Sequence, residues 1–285
     1  MNNILVTGSN GQLGSELRDL APKHPNYNFI FTDIEELDIC NHTAVANFIK
    51  GNHINTIINC AAYTAVDKAE EKVEIAENIN HLAVANFAQL AKEHHIKLIH
   101  ISTDYVFDGT NHKPYVESDV PNPQSVYGKT KLAGEQAMQT INPANSIIIR
   151  TSWVYSRFGN NFVKTMLSLG KERDTLNVVA DQIGTPTNAA DLAQAIVTIM
   201  PKIENTIVEL FHYSNEGICS WFDFAQAIFE IEGIAIKVNP IESSQYPTPA
   251  KRPFYSVLNK KSIKEKYLLE IPYWKVAIVK CLKLL

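Results

Sequence analysis

The sequence has few cysteines, no cluster of basic residues and no long apolar run, and each absence excludes a class of protein. Its four cysteines, Cys40, Cys60, Cys219 and Cys281, are scattered without a CxxC spacing. Neither a disulfide framework nor a zinc site is therefore expected. The net charge is −4, and no run of Lys or Arg occurs, which argues against a nucleic-acid or anionic-membrane surface. No apolar run approaches the roughly 20 residues that a membrane span needs.

The remaining composition is that of a globular protein with a sizeable core. Hydrophobic residues make up 45% of the chain and charged residues 20%, which are ordinary fractions for such proteins. The first residues enter a predicted strand directly, without a charged and then apolar leader, so we expect no signal peptide and a cytoplasmic location. A length of 285 residues allows one large domain or two unequal lobes.

Apolar runs and helical periodicity alternate through the first half of the chain. Short runs rich in β-branched residues predict strands at 3–7, 28–32, 56–59, 97–101 and 146–150. Amphipathic segments lie between them, including a long predicted helix over 73–94. This alternation predicts an α/β fold, a Rossmann-type doubly wound parallel sheet.

The alternation weakens beyond residue 150. Helices are predicted at 160–170, 188–200 and 220–232, and four prolines predict a long ordered loop over 240–253. We therefore place a dinucleotide-binding domain at 1–152, which also receives part of 176–212. A smaller C-terminal substrate-binding lobe is placed at 153–285.

A glycine loop joins the first predicted strand to the first predicted helix. Gly8, Gly11 and Gly14 follow a GxxGxxG spacing, with Asn10 inside the loop. Glycines there permit a tight turn, close approach of the backbone to a pyrophosphate, and close helix packing. We predict a dinucleotide site, and a ligand-free glycine turn is the alternative.

An acidic residue ends the second predicted strand. Asp33 stands where a carboxylate would bind the ribose 2′-hydroxyl of NADH, and residues 34–37 contain no arginine for a 2′-phosphate. The pattern favours NADH over NADPH, and a capped turn is the alternative. Asp38 and Ile39 could flank the adenine.

Small residues follow the third predicted strand, at 59–64. Ala61 and Ala62, with Tyr63 and Thr64 after them, would let a cofactor lie close to the backbone. Simple packing of the alanines against the sheet explains the same residues.

A hydroxyl, a phenol and an ammonium group, which together can reduce a ketone, follow one another along the chain. Thr103 ends the fourth predicted strand, and Tyr127 and Lys131 lie four residues apart on a predicted helix, so they share one face. Thr103 would hydrogen-bond a carbonyl oxygen, Tyr127 would donate the proton, and Lys131 would adjust the phenol and hold the nicotinamide ribose. A strand-end cap and a half-buried aromatic are the structural alternatives.

These motifs resemble the extended short-chain dehydrogenase/reductase family along essentially the whole chain. The most specific stretches are 102–109, 126–135 and 150–155, supported by 59–70, 181–187 and 252–259. The resemblance implies reduction of the 4-keto group of dTDP-6-deoxy-L-lyxo-4-hexulose to dTDP-L-rhamnose, with NADH or NADPH as cofactor. It implies a small dTDP-sugar as the partner, without nucleic acid or membrane.

The same resemblance assigns roles to individual residues. Thr103, Tyr127 and Lys131 would form the catalytic triad, and Gly11, Gln12 and Leu13 would bind the pyrophosphate. The substrate side would comprise Thr103, Asp104, Trp153 and Arg252. Trp153 would contact the sugar, although a core tryptophan is equally compatible with its position. Arg252 would bind the diphosphate, because a forked guanidinium suits it.

Other outcomes remain open within the family. Some members dimerise through Mg²⁺ held by surface glutamates, one of them near the C-terminus, but residues 281–285 contain no acidic side chain. A monomer or a homodimer without metal is therefore expected. A nucleotide-sugar epimerase or dehydratase would need further acid/base groups beside Thr103. A non-catalytic subunit, like the regulatory subunit of methionine adenosyltransferase, would not need Tyr127 or Lys131.

Overall fold

Six parallel strands form the central sheet of the protein in a computed structural model that describes residues 2–285. They are β1 (Asn2–Thr7), β2 (Tyr27–Thr32), β3 (Ile54–Asn59), β4 (Lys97–Thr103), β5 (Ser146–Thr151) and β10 (Glu209–His212). Their order across the sheet is β10-β5-β4-β3-β1-β2. The chain reverses its direction of travel at β1, because β2 lies on one side of it and β3 on the other. In such sheets, ligands bind at the carboxyl ends of the strands beside this reversal.

Eleven α-helices accompany the strands within residues 2–285. They are α1 (Gln12–Leu20), α2 (His42–Gly51), α3 (Val66–Ala69), α4 (Val73–Glu77), α5 (Ala83–His94), α6 (Val126–Ile141), α7 (Phe162–Glu172), α8 (Ala189–Ile199), α9 (Trp221–Glu232), α10 (Lys261–Tyr267) and α11 (Trp274–Leu282). Several begin at polar caps that satisfy free backbone amides. Ser125 accepts a hydrogen bond from Gly128 N at the start of α6, and Ser220 and Asp223 form a capping box on α9. None of these helices is both long and apolar enough to cross a membrane.

The sheet is buried on both faces, as the alternation of strands and helices predicted. Successive residues of a strand point to opposite faces, so Ile4 and Val6 pack with α1 and α8 while Leu5 packs with α2, α5 and α6. The α/β fold class is confirmed. A sixth strand, β10, was not predicted as a strand, because its four residues carry no clear alternation.

The long helix predicted over 73–94 is continuous but not uniform. A π-helical turn over Asn78–Leu82 separates α4 from α5. It places Asn80, fully buried, against the segment that follows β3. π-turns often lie at functional sites, and the periodicity of the sequence does not reveal this one.

A third hydrophobic cluster lies within the C-terminal half of the chain. Its residues come mainly from α7, α9 and α11 and include Tyr155, Phe224 and Trp274. Two parallel strands, β7 (Thr175–Val179) and β12 (Lys237–Ile241), pair beside it. Short strands complete this region: β6 (Val154–Tyr155), β8 (Ile183–Gly184), β9 (Thr187–Asn188) and β11 (Cys219–Ser220).

The proline-rich segment differs from the predicted loop at its start. Pro240 lies in β12 and a 3₁₀ turn covers Ser243–Gln245, so the irregular part begins after this turn. The chain also returns to the central sheet late in the sequence, since Ile263 and Tyr267 of α10 pack into the α1/α8 core. The boundary between the two lobes remains a prediction.

Candidate active site

A cavity of about 660 Å³ opens at the carboxyl ends of β1, β3 and β4. Most of the residues predicted to bind a cofactor line it: Gly8, Asn10, Gly11, Gln12, Leu13, Asp33, Asp38, Ile39, Ala61, Ala62, Thr64, Tyr127 and Lys131. Six predicted residues do not line it: Gly14, Tyr63, Thr103, Asp104, Trp153 and Arg252. The sheet therefore collects four separate segments of the chain around one cleft.

The glycine loop is as close-packed as its sequence suggests. Gly8 has a φ of +63°, and a β-carbon added there would lie 2.7 Å from backbone atoms of Ala61. A β-carbon on Gly14 would lie 2.5 Å from the carbonyl oxygen of Gly8. Gly11 caps α1 without a side-chain hydrogen bond, so the first amides of the helix remain available to an anion. This cradle fits a dinucleotide pyrophosphate.

Asp33 lies at the rim of the cavity and also organises its own turn. Its carboxylate accepts hydrogen bonds at 2.9 Å from the backbone amides of Asn10 and Ile34. The capping interpretation and the ribose interpretation are thus compatible, because the cap holds the carboxylate at the cavity wall. The structure adds Arg18 of α1, which donates to Ser9 Oγ at 2.8 Å and to Asn10 Oδ1 at 3.3 Å. Arg18 could not be recognised from residues 34–37, because it lies on the preceding helix, α1.

The segment after β3 is held by the π-helical turn. Asn80 Oδ1 accepts from the amide of Tyr63 at 2.9 Å, and Asn80 Nδ2 donates to the Tyr63 carbonyl at 3.2 Å. The same amide nitrogen lies 3.1 Å from Thr130 Oγ1 of α6. Asn80 therefore ties the cavity wall at 61–64 to the helix that carries Tyr127 and Lys131. No motif in the sequence marked Asn80.

Tyr127 is half-buried in the first turn of α6 and lines the cavity. Burial raises the pKa of its phenol to about 12, and a hydrogen bond with Thr103 partly opposes that rise. The phenol therefore carries its proton throughout the neutral range. A protonated phenol in a cleft can donate to a substrate oxygen.

Lys131 lies one turn further along α6 and is 1% exposed. Its Nζ donates to the carbonyl oxygen of Ile101 at 2.6 Å and lies 3.3 Å from His100 Nε2. Burial lowers the pKa of the Lys131 amine to about 8, whereas the charge of Glu135 and the Cys60 thiol act in the opposite direction. The amine can thus change its charge close to neutral pH.

Thr103 and Asp104 are buried directly behind the phenol, at 4% and 2% exposure. Thr103 Oγ1 donates to Asp104 Oδ1 at 3.1 Å and accepts from the Tyr105 amide at 3.2 Å. Burial raises the pKa of the Asp104 carboxyl to about 6, and its hydrogen bond with Thr103 opposes the rise. The hydroxyl predicted to meet a carbonyl oxygen is therefore adjacent to Tyr127 but held by Asp104 here.

Trp153 and Arg252 lie in packed surroundings outside the cofactor cavity. Trp153, at a φ of +48°, stacks on Trp221 with ring centroids 3.6 Å apart. Arg252 pairs with Asp67 at 2.9 Å, and the Ala250 amide donates to the same carboxylate at 3.2 Å. Asp67 thereby fastens the proline-rich segment to α3. No local pattern marks Asp67, because 185 residues separate it from Arg252.

These side chains form one chemical arrangement. A pyrophosphate cradle and a carboxylate lie at one end of the cavity, and a phenol with an adjacent amine lies on its wall. The arrangement can hold a dinucleotide and protonate an oxygen beside it. In residues 2–285, no group of three or more His, Cys, Asp or Glu side chains could hold a metal ion.

The chain is similar to known proteins along its whole length. The family described as the RmlD substrate binding domain matches residues 1–285. A dTDP-4-dehydrorhamnose reductase of Aggregatibacter actinomycetemcomitans is 43% identical, covering 98% of this chain and 97% of the relative. The crystal structure of such a reductase from Clostridium acetobutylicum has a TM-score of 0.93 at 45% identity, over 99% of both chains. One from Bacillus anthracis, in complex with NADP, has a TM-score of 0.94 at 38% identity over both full chains.

Proposed function

The chain belongs to the dTDP-4-dehydrorhamnose reductase family, and from this premise we propose that it reduces dTDP-4-dehydro-L-rhamnose to dTDP-L-rhamnose with NADH or NADPH. The substrate is the 4-keto sugar dTDP-6-deoxy-L-lyxo-4-hexulose named by the sequence resemblance. The observation that carries the proposal is that Tyr127, Lys131 and the glycine cradle line a single cavity. A reduced nicotinamide cofactor supplies the hydride when it is bound.

The protein supplies the proton and the positions of the reacting groups. Tyr127 donates its phenolic proton to the C4 oxygen as that oxygen gains negative charge, and the ammonium form of Lys131 stabilises the phenolate that remains. Thr103 aligns the phenol and, when it releases Asp104, donates to the same substrate oxygen. The ketone becomes an alcohol, with one hydride from the cofactor and one proton from Tyr127.

The substrate side of the site is proposed to lie where the two lobes meet. The guanidinium of Arg252 has five N–H donors, and Asp67 accepts from only one of its nitrogens. The other donors remain available to the diphosphate of the substrate. The part of 153–285 outside the central sheet would contribute Trp153 beside the sugar ring. A monomer or a homodimer is compatible with this site.

The test is to follow absorbance at 340 nm after adding enzymically prepared dTDP-4-dehydro-L-rhamnose with NADH and then with NADPH. We expect oxidation of the cofactor and formation of dTDP-L-rhamnose. A 4-epimer or a 4-keto product from an intact dTDP-hexose would replace the proposal with an epimerase or a dehydratase. Absence of turnover, with co-purification of a synthetase, would indicate a regulatory subunit.

Cofactor choice is expected to depend on Asp33 and Arg18 in opposite ways. Asp33 can accept a hydrogen bond from a ribose 2′-hydroxyl. Arg18 lies close to it, because Asn10 donates its backbone amide to Asp33 and accepts from Arg18 through its side chain. The Arg18 guanidinium can bind a 2′-phosphate. Asp33→Ala should weaken NADH about tenfold, the worth of one hydrogen bond to a charged group, and weaken NADPH less. Arg18→Ala should weaken adenosine 2′,5′-bisphosphate and leave AMP unchanged.

Equilibrium binding by calorimetry measures these affinities without any turnover. Lys23→Ala, which removes a positive charge just beyond α1, is the control for a general loss of positive charge. Neither residue distinguishes the 2′ position if Asp33→Ala weakens NADH and NADPH equally and Arg18→Ala changes the affinities for adenosine 2′,5′-bisphosphate and AMP equally.

Trp153→Ala is expected to raise KM for the sugar nucleotide and also to lower stability. The ring covers Trp221 and lies against Gly184, where an added β-carbon would be 2.7 Å from the indole. Loss of the stacked ring should cost about 3 kcal/mol, as for other large-to-small changes. Steady-state kinetics and urea unfolding separate the two effects. Unchanged KM with lowered stability would assign Trp153 to packing alone.

A further inference from the structure

A row of buried polar side chains crosses the sheet behind Lys131. Thr7 of β1 pairs in register with Asn59 of β3, and Asn59 pairs with His100 of β4. Paired residues of neighbouring strands point to the same face, so all three side chains face α6. Their exposed fractions are 0%, 1% and 0%. Immediately below them on the same face are Leu5, Ile57 and Leu98 of the apolar core.

The row is connected by hydrogen bonds and ends at the catalytic amine. Thr7 Oγ1 donates to Asn59 Oδ1 at 2.7 Å, and Asn59 Nδ2 lies 3.2 Å from His100 Nδ1. The other ring nitrogen, His100 Nε2, lies 3.3 Å from Lys131 Nζ. Three adjacent strands thus contribute a continuous path of polar contacts to one buried nitrogen.

Such a row is costly unless it has a role. Burying a polar group stabilises the fold only when its partners are complete, and valine or leucine would be less demanding at these positions. Lys131 already has the carbonyl of Ile101 as an acceptor. The additional contact to a ring nitrogen therefore needs a separate reason.

We propose that His100, backed by Asn59 and Thr7, is a positioning residue that holds the Lys131 amine in place in both of its protonation states. This inference rests on the proposed reductase function. A hydroxyl, a carboxamide and a neutral imidazole can each donate or accept. Because Thr7 donates to Asn59 Oδ1 and Asn59 Nδ2 donates to His100 Nδ1, His100 Nε2 carries the proton and can donate to a neutral amine. When the Asn59 amide turns over and the ring changes tautomer, Nε2 can instead accept from an ammonium group, and neither the imidazole nor the amine has to move far.

His100 cannot itself act as the acid or base of this arrangement. Burial, and then the charge of Lys131, hold its pKa well below the usual range for histidine, so the ring stays neutral. The other groups facing Lys131 are Glu135 on α6 and Cys60 after β3. The Cys60 thiol is protonated, because burial raises its pKa to about 12. His100 is thus the uncharged partner that can adapt to either state of the amine.

The test compares His100→Phe and His100→Gln across a full pH profile. Phenylalanine fills the space without a polar atom, so the desolvated ammonium loses a partner and its pKa falls below about 8. The Lys131 ammonium group then loses its proton at a lower pH than in the wild type. The alkaline limb of kcat/KM should move down by about one pH unit, and kcat should fall about 10- to 100-fold from misplacement of the amine. Glutamine, which restores a donor and an acceptor near the position of Nε2, should recover most of both.

His212→Gln is the matched control. His212 is a second fully buried histidine of the same sheet, on β10, with Nδ1 3.1 Å from the carbonyl of Tyr115. This variant should change stability but leave the wild-type position of the alkaline limb. If His100→Phe is less stable than wild type but its alkaline limb does not move, the proposal is wrong.

Two further measurements keep the outcomes separate. If the wild-type enzyme does not reduce the 4-keto sugar, the proposed function itself is wrong. If the wild type is active but the alkaline limb of kcat/KM does not move in the variants, only the proposed role of His100 is wrong. If His100→Phe does not fold, Thr7→Val decides. It deletes the far hydroxyl with little change in shape, and it should shift the limb in the same direction by about half a unit. If Thr7→Val is folded and has the wild-type pH profile of kcat/KM, the proposed role of the polar row is wrong.

Discussion

Tyr127→Phe is expected to lower kcat by about 10²- to 10⁴-fold, the contribution of a positioned general acid. Phenylalanine keeps the ring and its edge-to-face contact with Tyr105, whose centroid is 5.5 Å away, and it removes only the hydroxyl. Burial raises the pKa of that hydroxyl to about 12, so in the wild type the proton is present at neutral pH. Single-turnover measurement of cofactor oxidation tests the loss at the chemical step.

Binding should survive this change, because the pyrophosphate cradle lies on β1 and α1. We expect the Kd of NADPH, measured by protein fluorescence, to stay within about twofold of wild type. Tyr105→Phe is the matched control, as it removes a phenol from the neighbouring ring. Near-normal turnover in Tyr127→Phe would exclude Tyr127 as the proton donor, and an equal loss in both variants would indicate disturbed packing.

The pH dependence should reveal the amine as well as the phenol. The pKa of Lys131, lowered to about 8 by burial, means that its protonated form is complete below that value and is lost as the pH rises through it. If Lys131 must be charged to stabilise the phenolate, kcat/KM falls on the alkaline side with a midpoint near this value. Asp104 titrates near 6, because burial raises its pKa. On the acid side its protonation would change the hydrogen bond that holds Thr103.

Local patterns were sufficient to predict the fold class and to identify most of the residues that line the candidate cofactor cavity. The glycine spacing, the strand ends at Asp33 and Thr103, and the four-residue spacing of Tyr127 and Lys131 are all short-range features. A parallel sheet brings strand ends to one edge, so these motifs could be placed together from the sequence alone. The alternation of short apolar runs and amphipathic segments in the first 150 residues predicted the α/β fold itself.

Residues that support the site from a distance could not be predicted in this way. Asn59 and His100 are 41 positions apart, and His100 and Lys131 are 31 apart. Their contact depends on strand register, which no local pattern specifies. The contact of Asn80 with Tyr63 depends on the π-helical turn. The contact of Asp67 with Ala250 depends on the path of the proline-rich segment. In each case the partner is fixed by tertiary packing rather than by spacing.

Arg150→Met is expected to destabilise the protein by about 3–5 kcal/mol, the usual cost of leaving a buried charge without its partner. The Arg150 guanidinium makes contacts of 3.0 Å and 2.6 Å to the two carboxylate oxygens of Glu135. Both side chains are 3% or less exposed. Ser102 also donates to this carboxylate, but a hydroxyl cannot neutralise it. Since whole domains have only about 5–15 kcal/mol of stability, urea unfolding should show a large loss.

Replacing both partners should recover much of that loss, because a buried ion pair is often no more stable than apolar residues of similar volume. Arg150→Met combined with Glu135→Leu is the test, and Lys261→Met, which breaks an exposed pair with Glu265 at 3.8 Å, is the control with an expected effect under about 1 kcal/mol. The double variant also removes the carboxylate that raises the pKa of Lys131. Its alkaline limb should therefore move to lower pH even where stability is regained. Recovery of stability with an unmoved limb would show that Glu135 serves the fold alone and leaves the amine to His100.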